Sequence, residues 1–146
     1  MAKTTELLVD KFMETLQPVK EDTEIAELID TMKNEKTTFL PVVAKNEKLI
    51  GCVFDYNLLN LVRFESAPMA GTVWKDYIDK ADGKKKAKDI MDTKIVTVSP
   101  TDTIDSALRI MDNNDARVLT VTDENGKFIG VLRLRTIFGK LLKESE

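Results

Sequence analysis

The residues best equipped to bind something are arginines. Arg133 and Arg135 stand two apart at the end of an apolar stretch that reads as a strand, and that spacing puts both on one strand face. Thr136 follows where the next helix begins. Planar guanidinium forks suit phosphate oxygens, and the oriented N–H groups at a helix start attract anions. Catalytic side chains are scarce by comparison. The chain has no histidine, which removes the commonest general base and the commonest neutral metal ligand together. Its single cysteine, Cys52, sits beside Gly51 in an apolar run, the position of a small core residue rather than a nucleophile. With no histidine, neither a Cys–His nor a Ser–His pair can form. The run Asp112-Asn113-Asn114-Asp115 hints at calcium but lacks the glycine and closing glutamate of a calcium loop, so it reads as a helix end. The residues therefore point to binding, and an enzyme is not expected.

Composition agrees. The 146 residues are 42% hydrophobic and 32% charged, enough to bury a core and stay soluble. With 22 basic and 25 acidic residues the net charge is −3, which argues against nucleic acid as a partner. Lys84-Lys85-Lys86-Ala87-Lys88 is diluted by Asp82 and Asp89 and reads as a solvated linker. The N-terminus leads into a short amphipathic stretch rather than an apolar signal core. No apolar run approaches the ~20 residues needed to span a bilayer. A lone cysteine excludes an internal disulfide framework, and the expectation is a cytoplasmic protein.

The elements that must position these residues come twice. At an offset of 79, Ile25, Met32, Asn34, Leu40, Val42, Asn46, Lys48, Ile50 and Gly51 recur as Ile104, Met111, Asn113, Leu119, Val121, Asn125, Lys127, Ile129 and Gly130. Met13 recurs as Met91 at offset 78. Ile25, Leu28, Ile29 and Met32 make one apolar helix stripe, as do Ile104, Ala107, Leu108 and Met111. Asp22-Thr23 and Asp102-Thr103 stand where they can cap these helices. Two strands follow in each copy, 39–43 with 48–54 and 118–122 with 127–133, the second pair joined across Asn125-Gly126. A closing helix runs over 57–63 and 136–143, with Leu58, Leu59 and Val62, and Ile137, Phe138, Leu141 and Leu142, on its buried side. A short strand near Val19-Lys20 and at 95–98 opens each unit. The expected fold is α/β: two tandem βαββα repeats related by a pseudo-twofold axis. Repeat 1 with an N-terminal helix occupies 1–65, a linker with a short helix 66–86, and repeat 2 87–146. Trp74 and Tyr77, with Phe64 and Met69, form an apolar linker patch that either packs on the protein's own body or meets a partner. A unit of about 55 residues is marginal alone, because too little of its surface is buried.

At Val9-Asp10-Lys11-Phe12-Met13 and Ala87-Lys88-Asp89-Ile90-Met91, at the two helix stripes, at Leu40-Pro41-Val42-Val43, and at Leu49-Ile50-Gly51 and Phe128-Ile129-Gly130, the chain resembles the CBS-domain family, named for cystathionine β-synthase. The resemblance covers roughly 9–63 and 87–142 and implies a stand-alone CBS pair with clefts between its sheets. It further implies an adenine nucleotide (AMP, ADP, ATP or a related adenosyl ligand), a homodimer, and a regulated protein on another chain. In nucleotide-binding members the last strand runs from its glycine to Ser or Thr three residues on and Asp three beyond. Here those positions are Phe54 and Asn57 in the first repeat and Arg133 and Thr136 in the second. Both lack the ribose-binding Asp. The resemblance places Val96 and Thr97 where backbone edges an adenine, and Arg117 where members carry a phosphate-binding arginine. The candidate ligand-binding residues are thus Val96, Thr97, Arg117, Arg133, Arg135, Thr136, Phe54 and Asn57. Two readings stand side by side: a ligand-sensing regulatory module, in which the arginines hold phosphate, and a ligand-free assembly module, in which they are solvated edge charges and Phe54 is core.

Overall fold

A computed structural model describes residues 3, 6–61, 74–81 and 84–144. The first repeat forms β1 (Val19–Lys20), α1 (Ile25–Glu35), β2 (Phe39–Val43), β3 (Leu49–Phe54) and a 3-10 helix, Asp55–Leu61. Helices α2 (Trp74–Ala81) and α3 (Ala87–Ile90) follow. The second repeat forms β4 (Thr97–Val98), α4 (Ile104–Asn114), β5 (Val118–Thr122), β6 (Phe128–Arg133) and α5 (Leu134–Glu144). The sheets have orders β1-β2-β3 and β4-β5-β6. In both, the opening strand pairs parallel with the middle one and the last two form an antiparallel hairpin. Even the irregularities repeat: the register shifts between Val42 and Val43 and again between Val121 and Thr122.

The helix stripes fold as their spacing demands. Ile25, Leu28 and Met32 of α1 are buried, and so are Ile104, Ala107 and Met111 of α4. Each helix ends on a left-handed residue, Lys36 (φ 52°) or Asp115 (φ 51°), which turns the chain into the next strand. Of the expected caps only Thr103 acts as one, accepting from Ser106 N at 3.1 Å. Thr23 instead accepts from Lys20 N at 3.0 Å, and Asp102 from Ser99 N at 2.8 Å. The tight turn between opening strand and helix presents its own N–H, and the short side chain reaches that first.

The N-terminal stretch forms one 3-10 turn, Val9–Lys11, rather than a regular helix. It and the stretch around α3 are straps, and each packs on the repeat it does not precede. Val9 N donates to Asp102 O (2.8 Å) and Asp10 N to Pro100 O (3.0 Å). In the same way Ala87 N donates to Thr23 O (2.9 Å) and Lys88 N to Glu21 O (3.0 Å). Further along, Glu14 exchanges both backbone hydrogen bonds with Val131 of β6, and Asp92 does so with Cys52 of β3. Val9 and Phe12 enter the core with Ile104, Leu119 and Ile137; Ala87 and Ile90 enter that with Ile25, Leu40 and Val53. Burial of Phe12 or Ile90 stabilises by about 2 kcal/mol each. The compact bodies therefore do not follow the linear repeats. Gln17–Ile95 form a middle unit, and the residues up to Leu16 join Val96 onward in a terminal unit. The lysine run belongs partly to the strap: Lys84 is exposed, while Lys86 bridges Glu24 and pairs with its carboxylate at 3.2 Å.

Two expectations about the closing helices need correction. The first-repeat helix is 3-10, and Leu59 is 70% exposed, with Leu61 buried instead. In α5, Ile137 is fully buried, but Phe138 and Leu142 point outward at 51% and 68% exposure. Leu134, Ile137 and Leu141 share the inward face of a 3.6-residue helix, and 138 and 142 fall on the next stripe round. Val62, Phe64 and Met69, and the side chains of Trp74 and Tyr77, lie outside what is described.

The straps explain the repeated glycines. A Cβ on Gly51 would lie 2.7 Å from both Asp92 O and Met91 Sδ, and one on Gly130 would lie 2.9 Å from Glu14 O. Gly51→Ala is expected to cost about 1–3 kcal/mol by pushing the strap off β3, and Gly126→Ala, with open space around it, to cost less despite its positive φ. Urea unfolding of both variants checks this ordering.

Cys52 gives a second test. Burial, and then the nearby Asp92 charge, push its thiol up to about 12. A proton held more tightly in the folded chain stabilises it fully below the unfolded value near 9, and that stability is lost as pH rises from about 9 through 12. Native protein at pH 8 is expected to resist a thiol reagent that reacts at once after denaturation, and Cys52→Ala to flatten the alkaline fall in stability. Rapid native labelling would contradict the burial.

Candidate functional site

In the terminal unit Arg117, Arg133, Arg135 and Thr136 lie at the corner where β6 passes into α5, while Val96 and Thr97 lie at β4, on the other side of β5. β6 ends at Arg133, which pairs with Val118 in the ladder. Leu134 already belongs to α5 and its N–H donates to Arg117 O at 2.9 Å, which fixes the Arg117 backbone at the same corner. Arg135 therefore lies in the first helical turn, so the expected alternation of Arg133 and Arg135 along one strand face does not occur. Arg117 and Arg135 are exposed, and Arg133 is half-buried. β4 is an edge strand. The Val96 carbonyl accepts from both Thr120 N (3.3 Å) and Thr120 Oγ1 (3.1 Å), while Thr97, one residue on, turns its backbone toward the edge that carries no strand.

One residue at this corner does not stand out in the sequence. Glu14, delivered by the strap, accepts a hydrogen bond from Thr136 Oγ1 at 3.0 Å and lies 3.9 Å from Arg133 Nε. A carboxylate thus already occupies the corner the arginines were expected to keep for phosphate. A signal did exist: an acid follows the matched methionine in both repeats, Met13-Glu14 and Met91-Asp92.

The middle unit repeats this corner with other side chains. Asn57 is buried; its Oδ1 accepts from Phe54 N at 2.7 Å and its Nδ2 donates to Asp92 Oδ1 at 3.4 Å. Tyr56 donates its hydroxyl to Asp92 Oδ2 at 2.7 Å. Partial burial, and then that bond to Asp92, push the phenol up to about 12, so it stays a donor at neutral pH. Phe54 stacks between Phe39 (centroids 5.8 Å apart, 26° between planes) and Tyr56 (5.1 Å, 6°). Asn57 is thus spent on the turn and the strap, and Phe54 belongs to an aromatic stack.

An open hollow of about 220 Å³ lies elsewhere in the middle unit, lined by Lys20, Glu21, Asp22, Val43 and Lys45, and includes none of these residues. Among the described residues no group of three or more His, Cys, Asp or Glu side chains is placed to hold a metal, and no helix is long and apolar enough to cross a membrane.

Known proteins share this fold. The chain is 30% identical to the chloroplastic CBS domain-containing protein CBSX2 of Arabidopsis thaliana, over 90% of this chain and 62% of that one. It is 28% identical to CBSX1 of the same plant, over 85% of this chain and 59% of that one. It thus spans about three-fifths of the length of both relatives. A crystal structure of CBSX2 in complex with AMP superposes with a TM-score of 0.76 at 29% identity, covering 96% of this chain and 99% of that one. Residues 10–63 and 87–143 each match the CBS domain, and the chain belongs to the CBS-domain family.

Proposed function

We propose that this chain is a regulatory CBS pair that binds an adenine nucleotide, or a similar phosphorylated ligand, at the β6–α5 corner of the terminal unit and so modulates a partner protein. The observation that carries this reading is the convergence of Arg133 and Thr136 on the Glu14 carboxylate. A guanidinium and a hydroxyl at the start of a helix already hold one internal anion, and a phosphate has the same needs with more oxygens to offer. Exposed Arg117 and Arg135 add positive charge, and the Thr97 backbone offers an edge to a base. The AMP bound by CBSX2 supports the choice of nucleotide. Binding regulates only if the ligand favours one conformer over another. Displacement of Glu14 supplies the difference, because the acid sits on the strap and its release loosens the strap's hold on β6.

The same reading makes the chain a binder rather than a catalyst. It has no histidine, and its one thiol is buried and protonated at neutral pH. Exposed Phe138 and Leu142 on α5 support self-association into a homodimer. Sedimentation is expected to show a dimer that Phe138→Glu weakens; a monomer at high concentration overturns it.

AMP, ADP or ATP at millimolar concentration is expected to raise the melting temperature. Ligand at one hundred times Kd contributes about 2.7 kcal/mol. Arg133→Ala is expected to abolish the rise. Glu14→Gln, which removes the competing charge and keeps the shape, is expected to tighten binding several-fold. Flat melting curves with all three nucleotides would end this assignment.

A further inference from the structure

Helix α5 grips the N-terminal strap with one stripe of side chains. Thr136 donates its hydroxyl to Glu14 Oε2 at 3.0 Å, Ile137 shares a buried core with Val9 and Phe12, and Lys140 Nζ donates to Lys11 O at 3.0 Å. Positions 136 and 140 are one turn apart and lie one above the other on the helix. The Lys140 ammonium also sits over the Phe12 ring, 5.6 Å from its centre. The strap is thus held at two places, by Lys140 at Lys11 and by Val131 and Thr136 at Glu14. The middle unit fastens its strap differently. At offset 79 Lys140 stands for Leu61, which is buried in the core with Ala87 and Ile90. The strap carbonyl there, Ile90 O, accepts from Asn60 Nδ2 at 3.4 Å, and in α5 the place of Asn60 is taken by Gly139, which has no side chain to donate. One strap is closed by apolar burial and a neutral amide, the other by an exposed cation.

We propose that Lys140 is a positioning residue for the nucleotide corner: it latches the strap, so keeps Glu14 against Thr136 and Arg133, and sets how readily a phosphate displaces that carboxylate. This rests on the nucleotide reading of the β6–α5 corner and adds the element that controls access to it. Lys11 and Glu14 stand three residues apart on one turn, in which Phe12 N and Met13 N both donate to Val9 O at 2.9 Å, so the turn moves as a piece. Releasing Lys11 O lets that piece lift and weakens the bonds Glu14 exchanges with Val131. A phosphate needs Glu14 out of the corner, so its apparent affinity scales with the fraction of chains whose strap is raised. Lys140 lowers that fraction through its charge, by a charge-assisted bond to a carbonyl and by attraction to a ring face. Lys140 is exposed, so the latch is modest in strength and reversible. It acts through Glu14 rather than by touching the nucleotide.

The test follows amide hydrogen exchange and AMP titration on the full chain. Lys140→Met keeps the aliphatic stem and removes the charge. It is expected to speed exchange at the Glu14 and Val131 amides about fivefold. It is expected to tighten AMP binding by the same factor, because both measurements read one opening equilibrium. Lys140→Arg, which keeps the charge, is expected to leave both near the wild type. In a Glu14→Gln background, Lys140→Met is expected still to speed exchange but to leave AMP affinity unchanged, since the competing charge has already gone. The proposal is overturned if Lys140→Met leaves exchange at Glu14 and Val131 unchanged, if Lys140→Arg behaves as Lys140→Met does, or if Lys140→Met shifts AMP affinity equally with and without the Glu14 carboxylate. Absence of AMP binding to the wild type overturns the nucleotide reading and the link to it; the exchange rates then decide by themselves whether Lys140 latches the strap.

Discussion

Two short pairs of backbone hydrogen bonds govern this molecule: Glu14 with Val131, and Asp92 with Cys52, all between 2.8 and 2.9 Å. Each pair fastens a strap to the last strand of a sheet. Such bonds contribute only about 1 kcal/mol each, but they set the height at which the strap crosses. That height leaves no room for a side chain on Gly51 or Gly130. It also drops Met91 and Met13 over those glycines and seats an apolar pair three residues apart, Ala87 with Ile90 or Val9 with Phe12, in the core below. Last, it brings a carboxylate to the corner where strand becomes helix. The glycine, the methionine, the buried pair and the acid follow from one crossing.

The straps also show how duplication produces two different corners from one frame. Backbone interactions are held nearly constant between the copies: the same exchanged bonds, the same turn closures by Thr23 and Asp102, the same left-handed helix ends. Side chains at the corner are free to diverge because they carry little of the folding energy. One corner became cationic and the other aromatic without disturbing the sheet beneath. Function of this kind belongs to the decorations, not to the fold that presents them.

Much of the fold was legible in the chain itself. The offset of 79, the apolar stripes and the Asn125-Gly126 turn express local periodicity and local turn chemistry, and those survive tertiary context. The corner was less legible. Nothing in Leu132-Arg133-Leu134-Arg135 marks where extension stops, so Arg135 reads as strand; the stop is set by the Leu134 bond to Arg117 O, a contact between elements. Glu14 and Asp92 are marked in the sequence only by the matched methionines before them, for a similar reason. Each acts on a repeat it does not precede, and a reading confined to one repeat at a time has no place for such a residue. Phe138 and Leu142 read as inward in the sequence because apolar type alone does not choose between adjacent stripes of a helix.

The terminal unit is stitched from the two ends of the chain, its strap separated from its sheet by the whole middle unit. During synthesis the stretch around Val9 and Phe12 is made well before its seat beneath Ile104 and Ile137. The middle unit, continuous from Gln17 to Ile95, can close on its own strap long before then. A nascent chain therefore carries Phe12 uncovered until Ile104 and Ile137 have been made, and damage around Val9 and Phe12 will be felt in a core built from residues about a hundred positions away.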